Sequence, residues 1–467
     1  MQIKEFIKQN TDSFLTDLRQ LLMIPSVKQP ALPGQPFGEN VYDALICAGK
    51  ICERLGFTFH NLDGYIGYID YDETNKNREA NRIHEVGNHE VVGVLVHMDV
   101  VPAEGFTLQP FGAQIIDGKI YGRGAIDNKG PALAALYALA ALKEMGFAPD
   151  KRIRLIFGCD EESGWGDIDY YKQHEPLPDI GFSPDGDYPV VNAEKGILQV
   201  QISGHIVPSK SSIILNSLTA GVANNVLPHL AACTLSGDTS AILAYCAEYK
   251  SNVPFEIVDD TSSLTIRFTG QSAHASIPET GVSAIAHMLK FLSGLTTDKS
   301  AAIHALFART GFSFDGEGFN IKLSDEISGS LTACMTGISL NGDTLSYILD
   351  IRYPVSYKED SILTKLENTL SSETITVIGR QAPHYVPETA SLVQTLLSVY
   401  HDVTGEPSYC KAVGGGTYAR AIPNAVTFGA RFPNAEEVAH QPDEYAVIDE
   451  LLLNIEIIAE AVRRLAT

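Results

Sequence analysis

The chain has 467 residues, of which 45% are hydrophobic and 19% charged, and its 57 acidic and 34 basic side chains give a formal net charge of −23. This length allows two or more domains with substantial cores, and the composition excludes a mainly disordered chain. A surface this acidic repels nucleic acids and anionic lipids, so we expect neither a nucleic acid nor a membrane as a partner.

The first part of the chain alternates predicted helices and strands. In chain order the elements are helices Ile3–Met23 and Val41–Leu55, strands Phe57–His60, Tyr65–Ile69 and Val91–Val96, helix Pro131–Met145, and strand Ile153–Phe157. The run Val91–Val96 has no polar side chain, as expected of a strand that is buried on both faces. The polar stretch Asp72–Glu90 predicts a solvated loop or hairpin. This alternation predicts an α/β fold with helices on both faces of a mixed sheet.

The pattern changes after Asn192 and changes back near Pro383. The segment between them mixes strands and helices, predicted at Leu198–Ile206, Leu264–Thr269, Leu345–Ile351 and Thr374–Ile378 for strands and at Val282–Leu295 and Ser361–Leu370 for helices. The α/β pattern then resumes with helix Ala390–Thr404, strand Ala425–Phe428 and helix Tyr445–Leu465. We therefore predict an α/β domain built from residues 1–192 and 384–467, with an inserted α+β domain at residues 193–383.

Potential metal ligands follow the ends of the predicted strands. His97 and Asp99 come directly after Val91–Val96, and because side chains two residues apart share a face of a strand, the carboxylate could orient the imidazole. A polar pair at a strand end explains these two residues equally well. Asp127 lies between glycines in the sequence GRGAIDNKG, where, taken alone, helix capping by Asp127 or Asn128 is the better interpretation.

Three further segments supply carboxylates and a second imidazole. Glu161 and Glu162 follow the buried strand Ile153–Phe157, at the kind of strand end where open α/β sheets place their active sites. Asp185 follows a short apolar strand, with Asp187 as an alternative, and His440 precedes the last predicted helix. Together the segments provide a nitrogen and oxygen donor set suited to zinc, manganese or cobalt. With one shared carboxylate, two metals could lie about 3.5–4 Å apart.

Five motifs in this order resemble the signature of the zinc-dependent aminoacylase/carboxypeptidase family, which includes acetylornithine deacetylase, succinyl-diaminopimelate desuccinylase, carnosinase and bacterial dipeptidases. The motifs, spread over nearly the whole chain, are VLVHMDVVPAEG, GRGAIDNKGP, DEESG, SPDG and the late AH. Within the family the long insert is most similar to that of the bacterial peptidase V group, the Xaa-His dipeptidases. The resemblance implies a di-zinc exopeptidase fold, in which 1–192 and 384–467 form the catalytic domain and 193–383 forms a lid.

The resemblance also implies a set of metal ligands. One metal would be held by His97, Asp127 and Asp185. The other would be held by Asp127, Glu162 and His440, so that Asp127 bridges the pair. The two divalent ions would be Zn2+, with Mn2+ or Co2+ as alternatives, and a hydroxide bridging them would attack the peptide carbonyl.

Further roles follow from the same resemblance. Glu161 would be the general base, and Asp99 would orient the His97 ring. His274, in GQSAHASIPETG, matches the lid histidine that stabilises the oxyanion. Asn225 matches the lid asparagine, with Asn224 as the alternative.

The end of the substrate would be held by an arginine and a glycine-rich loop. Arg352, in LDIRYP, matches an arginine that grips the substrate's C-terminal carboxylate. The loop GGGTYAR matches the family's substrate loop, in which the backbone N–H groups could bind the same carboxylate, here at Gly414, Gly415, Gly416 and Thr417.

The activity implied is hydrolysis of unblocked dipeptides, of the Xaa-His or β-Ala-His type and more broadly. The alternative is an N-acyl amino acid deacylase, which would use the same metal chemistry. A non-catalytic binding protein on this scaffold is disfavoured because no ligand or base is missing. The doubled insert predicts a monomer. The scattered cysteines, which favour reduced thiols, and the lack of an apolar run of ~18 residues predict a soluble cytoplasmic protein.

Overall fold

A computed structural model of the chain describes residues 2–72, 90–260 and 262–467. The predicted loop Asp72–Glu90 therefore lies almost entirely outside the described residues. Among the residues described, no helix is both long and apolar enough to span a membrane.

The chain divides into two compact units. Unit 1 contains Met1–Asn192, Val386–Lys411 and Gly416–Thr467, and unit 2 contains Ala193–Tyr385 and Ala412–Gly415. The sequence-based boundaries place the insert at 193–383 and so do not include the short segment Ala412–Gly415, which lies in unit 2.

The helices of both units are, in chain order, α1 (Ile3–Leu22), α2 (Glu39–Arg54), α3 (Lys129–Glu144), α4 (Gly166–His174), α5 (Thr239–Glu248), α6 (Ala284–Ser293), α7 (Ser300–Thr310), α8 (Glu359–Thr369), α9 (Ser391–Thr404) and α10 (Ile448–Leu465). Short 3-10 turns add Pro278–Thr280, Glu317–Phe319 and Tyr418–Ala421.

The strands as far as the start of the insert are β1 (Phe59–Leu62), β2 (Ile66–Tyr71), β3 (Val91–His97), β4 (Gln114–Ile116), β5 (Lys119–Tyr121), β6 (Arg152–Gly158), β7 (Ile180–Ser183), β8 (Gly186–Asp187) and β9 (Val190–Glu194). Those that follow are β10 (Gly196–His205), β11 (Ile213–Ala220), β12 (Val226–Leu227), β13 (Leu230–Gly237), β14 (Phe255–Asp260), β15 (Ser263–Thr269), β16 (Ala273–His274), β17 (Ser324–Asp325), β18 (Gly329–Ser330), β19 (Thr332–Asn341), β20 (Thr344–Tyr353), β21 (Thr374–Gln381), β22 (His384–Tyr385), β23 (Cys410–Val413), β24 (Ala425–Thr427), β25 (Ala430–Arg431) and β26 (Tyr445–Val447).

Unit 1 is built on a mixed sheet with the strand order β1-β2-β6-β3-β7-β24-β9. Strand β3 runs parallel to both β6 and β7, and β24 runs parallel to β7, while β1 and β2 pair antiparallel. The carboxyl ends of β3, β6 and β7 therefore meet at one edge of the sheet, the place where open α/β sheets bind ligands. This edge carries the candidate site.

Alternating side chains of the central strands enter two different cores. Val92, Val94 and Val96 of β3 pack with α1, α2, α3, α9 and α10 on one face. Leu95 packs on the opposite face, with residues of α4 and the 3-10 turn Tyr418–Ala421. Helix α3 is rich in Ala and Leu and is buried on all sides, as expected of a helix that is apolar all round. These contacts confirm the predicted mixed sheet with helices on both faces.

Unit 2 is an α+β unit, as predicted. Its antiparallel sheet has the strand order β14-β15-β13-β11-β19-β20-β10-β21. Helix α6 packs on β13 and β15, and α7 packs on α6, around a core of aliphatic and aromatic side chains. A separate two-stranded ribbon, formed by β12 and β16, pairs Val226 with His274.

The predicted last helix, Tyr445–Leu465, is wrong in its first three residues. Tyr445–Val447 form strand β26, which pairs antiparallel with β5 through Tyr445 and Tyr121, and the helix begins at Ile448. The helical periodicity continues into this segment, but the partner strand lies more than 300 residues away in sequence and is invisible to a local pattern.

Candidate metal centre

His97 lies at the end of β3 and is fully buried. Its Nδ1 atom lies 2.9 Å from the backbone carbonyl oxygen of Asp99 and 3.4 Å from the Asp99 carboxylate. Because the carbonyl oxygen can only accept a hydrogen bond, Nδ1 carries a proton, and Nε2 is the ring nitrogen that faces the site. Asp99 therefore orients the ring mainly through its backbone, and its carboxylate is the more distant contact.

The Asp127 carboxylate lies between two imidazoles. Its Oδ1 atom is 3.0 Å from Nε2 of His97, and its Oδ2 atom is 2.9 Å from Nε2 of His440. Each carboxylate oxygen thus faces a different imidazole. A carboxylate placed in this way could be shared by two metal ions.

The turn after β6 carries Glu161 and Glu162. The Asp99 carboxylate accepts hydrogen bonds from both of their backbone N–H groups, at 3.3 and 3.1 Å. The indole N–H of Trp165 donates to the carbonyl oxygen of Glu161 at 3.0 Å, which closes the turn. The Glu162 carboxylate lies 3.1 Å from Nε2 of His440. One buried aspartate therefore connects the His97 segment to the two glutamates.

Asp185 follows β7 and joins the same group. Its carboxylate lies 3.6 Å from Nε2 of His97 and accepts a hydrogen bond from the side-chain amide of Asn128 at 3.1 Å. Asp187, the alternative considered from sequence, instead accepts hydrogen bonds from Arg431 at 2.6 Å and Lys411 at 2.8 Å. Of the two aspartates, the structure brings Asp185 to His97.

Burial and neighbouring charges shift the pKa values of the four carboxylates around His97. Burial, followed by repulsion from Asp127, raises the pKa of Glu162 to about 7. Burial also raises the pKa of Asp185, to about 6, and, together with repulsion from Asp185, raises the pKa of Glu161. Burial alone would raise the pKa of Asp127 as well, but the hydrogen bonds from His440 and His97 hold it below its usual range.

The donor set fits divalent metal ions. Ligand atoms of His97, Glu161 and Asp185 lie within 4.8 Å of one another, and so do those of His97, Asp127 and Glu162. Imidazole nitrogens and carboxylate oxygens at this spacing suit zinc and related ions. Burial and mutual repulsion raise the pKa of Glu161, Glu162 and Asp185, and a divalent ion bound among them would favour their charged forms.

Glu444 was missed by the sequence reasoning, although it stands four residues after His440. Its carboxylate is buried and accepts hydrogen bonds from the backbone N–H groups of Gly124 (3.1 Å), Ile126 (3.0 Å) and Asp127 (3.2 Å), and from Arg123 at 2.7 Å. Glu444 therefore ties the segment of His440 to the loop that presents Asp127. A sequence signal for Glu444 does exist, because it is the last residue of AHQPDE and stands just before an apolar run.

Replacing Glu444 by glutamine is expected to lower the free energy of unfolding of the metal-free protein by about 1.5–3 kcal/mol, the value of a hydrogen bond to a charged group. The amide keeps the shape but loses the charge that Arg123 and three backbone N–H groups face. The measurement is urea denaturation, with exposed Glu104→Gln as the control. A midpoint unchanged from that of the control would contradict this role.

In unit 2 the structure places Asn225 beside His274. The backbone N–H of Ala275 donates to the Asn225 carbonyl at 2.9 Å, next to the Val226–His274 pair of the β12/β16 ribbon. Both Asn225 and His274 are exposed, as is Asn224. Two residues that are 49 positions apart in sequence are thus neighbours on one small ribbon.

Arg352 is buried on β20. Its Nε and Nη2 atoms donate to the Asp350 carboxylate at 2.5 and 3.0 Å, and its Nη1 atom donates to the carbonyl oxygen of Gly414 at 2.7 Å. The guanidinium is thus held in one orientation from two sides. Gly415 follows in the same unit, whereas Gly416 and Thr417 belong to unit 1.

The arrangement in unit 1 is that of an imidazole–carboxylate metal centre at the carboxyl edge of an α/β sheet. The chain belongs to peptidase family M20/M25/M40, whose model matches residues 93–464. It is 35% identical to the protein of Lactobacillus delbrueckii subsp. lactis named Beta-Ala-Xaa dipeptidase, over 100% of this chain and 98% of the relative.

Solved structures share the fold. Human carnosine dipeptidase 1 superposes with a TM-score of 0.59 at 15% identity, covering 99% of this chain and 98% of the other. Aminoacylhistidine dipeptidase from Vibrio alginolyticus superposes with a TM-score of 0.56 at 14% identity, covering 97% of this chain and 96% of the other.

Proposed function

We propose that the protein is a metal-dependent dipeptidase that hydrolyses the peptide bond of unblocked dipeptides, including β-alanyl ones. The observation that carries the proposal is Asp127, whose two carboxylate oxygens lie 3.0 Å from His97 and 2.9 Å from His440. The relative named Beta-Ala-Xaa dipeptidase, similar over the full length, supports this substrate class.

Two divalent ions would be held in unit 1, and zinc is the ion that best suits the mixture of imidazole and carboxylate donors. His97, Asp127 and Asp185 would hold the first ion. Asp127, Glu162 and His440 would hold the second. When bound, the ions supply a water acidic enough to act as a nucleophile near neutral pH, and they polarise the scissile carbonyl.

Glu161 would accept the proton of the attacking water and deliver it to the leaving amine. Its carboxylate lies within 4.8 Å of ligand atoms of His97 and Asp185, so it would be within reach of a water held there. The anchoring of its turn by Asp99 and Trp165 limits the movement of its backbone.

The proposed roles in unit 2 concern two groups of the substrate, the scissile carbonyl and the C-terminal carboxylate. His274 would donate a hydrogen bond to the carbonyl oxygen as it becomes an oxyanion, a contribution of about 2.7–4 kcal/mol for one well-placed donor. Asn225, its neighbour on the ribbon, would contact the substrate near the same carbonyl. Arg352, with the glycine loop, would bind the C-terminal carboxylate.

Replacing Arg352 by lysine is expected to raise the KM for a free dipeptide at least tenfold and to leave the KM for its C-terminal amide within threefold. Lysine keeps the positive charge beside Asp350 but cannot maintain the planar two-sided contact. The measurement is steady-state kinetics on both substrates. Equal losses on the two would exclude Arg352 as the carboxylate-binding residue.

One chain would supply all of these residues, so we propose a monomer. The doubled length of the insert, residues 193–383, supports this proposal, and unit 2 holds His274, Arg352 and Gly414 within a single fold. Analytical ultracentrifugation is expected to show a single monomeric species. A dimer that persists at nanomolar concentration would contradict this.

The test of the proposed function is hydrolysis of Ala-His beside N-acetylhistidine, with each substrate measured after chelation and again after zinc or manganese is added. If the protein is a dipeptidase, we expect metal-dependent cleavage of Ala-His and no cleavage of N-acetylhistidine. Cleavage of N-acetylhistidine alone would identify an N-acyl amino acid deacylase that uses the same metal centre. Cleavage of neither substrate would exclude both activities.

A further inference from the structure

A short segment that ends in the glycine loop belongs to unit 2, and its residue Gly414 contacts both Arg352 and Ser276. Residues Ala412–Gly415 lie in unit 2, although the chain on either side of them lies in unit 1. Within this segment Gly414 accepts the hydrogen bond from Arg352 through its carbonyl oxygen, at 2.7 Å. The α-carbon of the same residue lies against Ser276.

The contact between Gly414 and Ser276 leaves no space for a side chain. A Cβ atom built on Gly414 would lie 2.5 Å from Cβ of Ser276, closer than two carbon atoms can approach without movement. The φ angle of Gly414 lies outside the left-handed region, so an alanine there would be strained by this contact and not by its backbone conformation. Glycine is therefore required at position 414 by close packing.

Ser276 in turn holds the ring of His274. Its hydroxyl lies 2.6 Å from Nδ1 of His274, and its backbone N–H donates to the same Nδ1 atom at 3.3 Å. A backbone N–H can only donate, so Nδ1 is the acceptor and the neutral ring carries its proton on Nε2. This is the tautomer that can donate a hydrogen bond to an oxyanion.

We propose that Gly414 is a positioning residue that fixes the spacing between His274 and Arg352 within unit 2, and that this spacing selects substrates whose carboxylate lies one residue beyond the cut. The proposal rests on the proposed function. The connection runs from His274 through Ser276 and Gly414 to Arg352, and Asp350 holds the far side of the guanidinium. One more residue in the substrate would move its carboxylate by roughly 3.3–3.6 Å. Because direct contacts fix the distance between His274 and Arg352, Arg352 could not follow a shift of this size.

The decisive variant is Gly414→Ala. Relief of the contact requires Ser276 and the loop to separate by roughly 1 Å, and a misplacement of this size can cost about 100-fold in rate. The expected result is a fall of at least tenfold in kcat/KM for Ala-His and of less than threefold for Ala-His amide, which does not use Arg352 as a carboxylate ligand. The preference for the free carboxylate is thus lost selectively.

Three companion variants separate spacing from folding. Gly337→Ala, where an added Cβ makes only ordinary contacts at 3.4 Å and beyond, is the matched control for a glycine of the same unit and should keep the preference. Ser276→Ala should slow both substrates alike, because the His274 ring loses one donor and the Gly414 contact remains. Gly414→Ala combined with Ser276→Gly should restore the preference, because the nearest atom is then the residue 276 Cα at 3.4 Å.

Failure of the proposed function and failure of the Gly414 proposal give different results in these experiments. If wild-type protein with metal does not cleave Ala-His, or cleaves its amide equally well, the proposed function or the role of Arg352 fails, and this proposal fails with it. If wild-type protein prefers Ala-His but Gly414→Ala keeps that preference, or loses activity equally on both substrates while the double variant restores nothing, the spacing role alone is wrong. Thermal unfolding of each variant shows whether it is folded, and an unfolded Gly414→Ala leaves the decision to the double variant.

Discussion

Replacing Glu161 by glutamine is expected to reduce the turnover of Ala-His by roughly a thousandfold or more while the bound metal and the unfolding temperature stay close to wild type. A positioned general base contributes about 10²–10⁴-fold to the rate, and an amide cannot accept the proton of the attacking water. Glutamine preserves the shape of the side chain and the backbone contacts to Asp99. The measurement is kcat together with metal content by elemental analysis.

Exposed Glu104→Gln is the matched control, and it should retain wild-type turnover. The carboxylate of Glu161 lies within 4.8 Å of ligand atoms of His97 and Asp185, so metal content is the informative control reading. Loss of a metal ion together with activity would identify Glu161 as a ligand and not as the base. Near wild-type turnover would remove it from the mechanism altogether.

Replacing Asp127 by asparagine is expected to have a comparably large effect for a different reason. The two carboxylate oxygens of Asp127 lie at 3.0 and 2.9 Å from two imidazoles, and asparagine offers only one oxygen acceptor. A bridging ligand serves both ions, so we expect the variant to lose at least one ion per chain and roughly a thousandfold in turnover. Added zinc should restore only part of the rate.

Asp117→Asn, at an exposed turn, is the control for a generic loss of one carboxylate. If Asp127→Asn keeps the wild-type metal content and is inactive, Asp127 acts on the substrate and does not bridge. If it keeps both metal and activity, the assignment of the centre is wrong.

The positions of His97, Glu161 and Asp185 could be predicted because each follows an apolar strand that is recognisable by itself. Val91–Val96 and Ile153–Phe157 are buried runs, and their strands β3 and β6 are parallel neighbours. When such strands lie side by side, the residues that follow them meet at one edge of the sheet. His97 and Glu161 therefore approach each other although their positions are 64 residues apart.

The supporting contacts could not be predicted because they join segments that are distant in sequence. Glu444 binds the backbone of the Asp127 loop across 317 residues, and Arg431 neutralises Asp187 across 244 residues. The local pattern alone left Asp187 as an alternative to Asp185, which only the SPDG motif of the family resemblance favoured, because the difference lies in the partners of the two side chains. The inclusion of Ala412–Gly415 in unit 2 depends in the same way on contacts with Arg352 and Ser276.

The most direct test of the account is a zinc titration of metal-free protein that follows bound zinc and Ala-His hydrolysis in the same samples. We predict no hydrolysis without metal, a rise as zinc binds, and a plateau at about two ions per chain, the number that one shared carboxylate and two separate imidazoles can hold. Full hydrolysis by the chelated protein, or a plateau at one ion, would contradict the shared metal centre around Asp127.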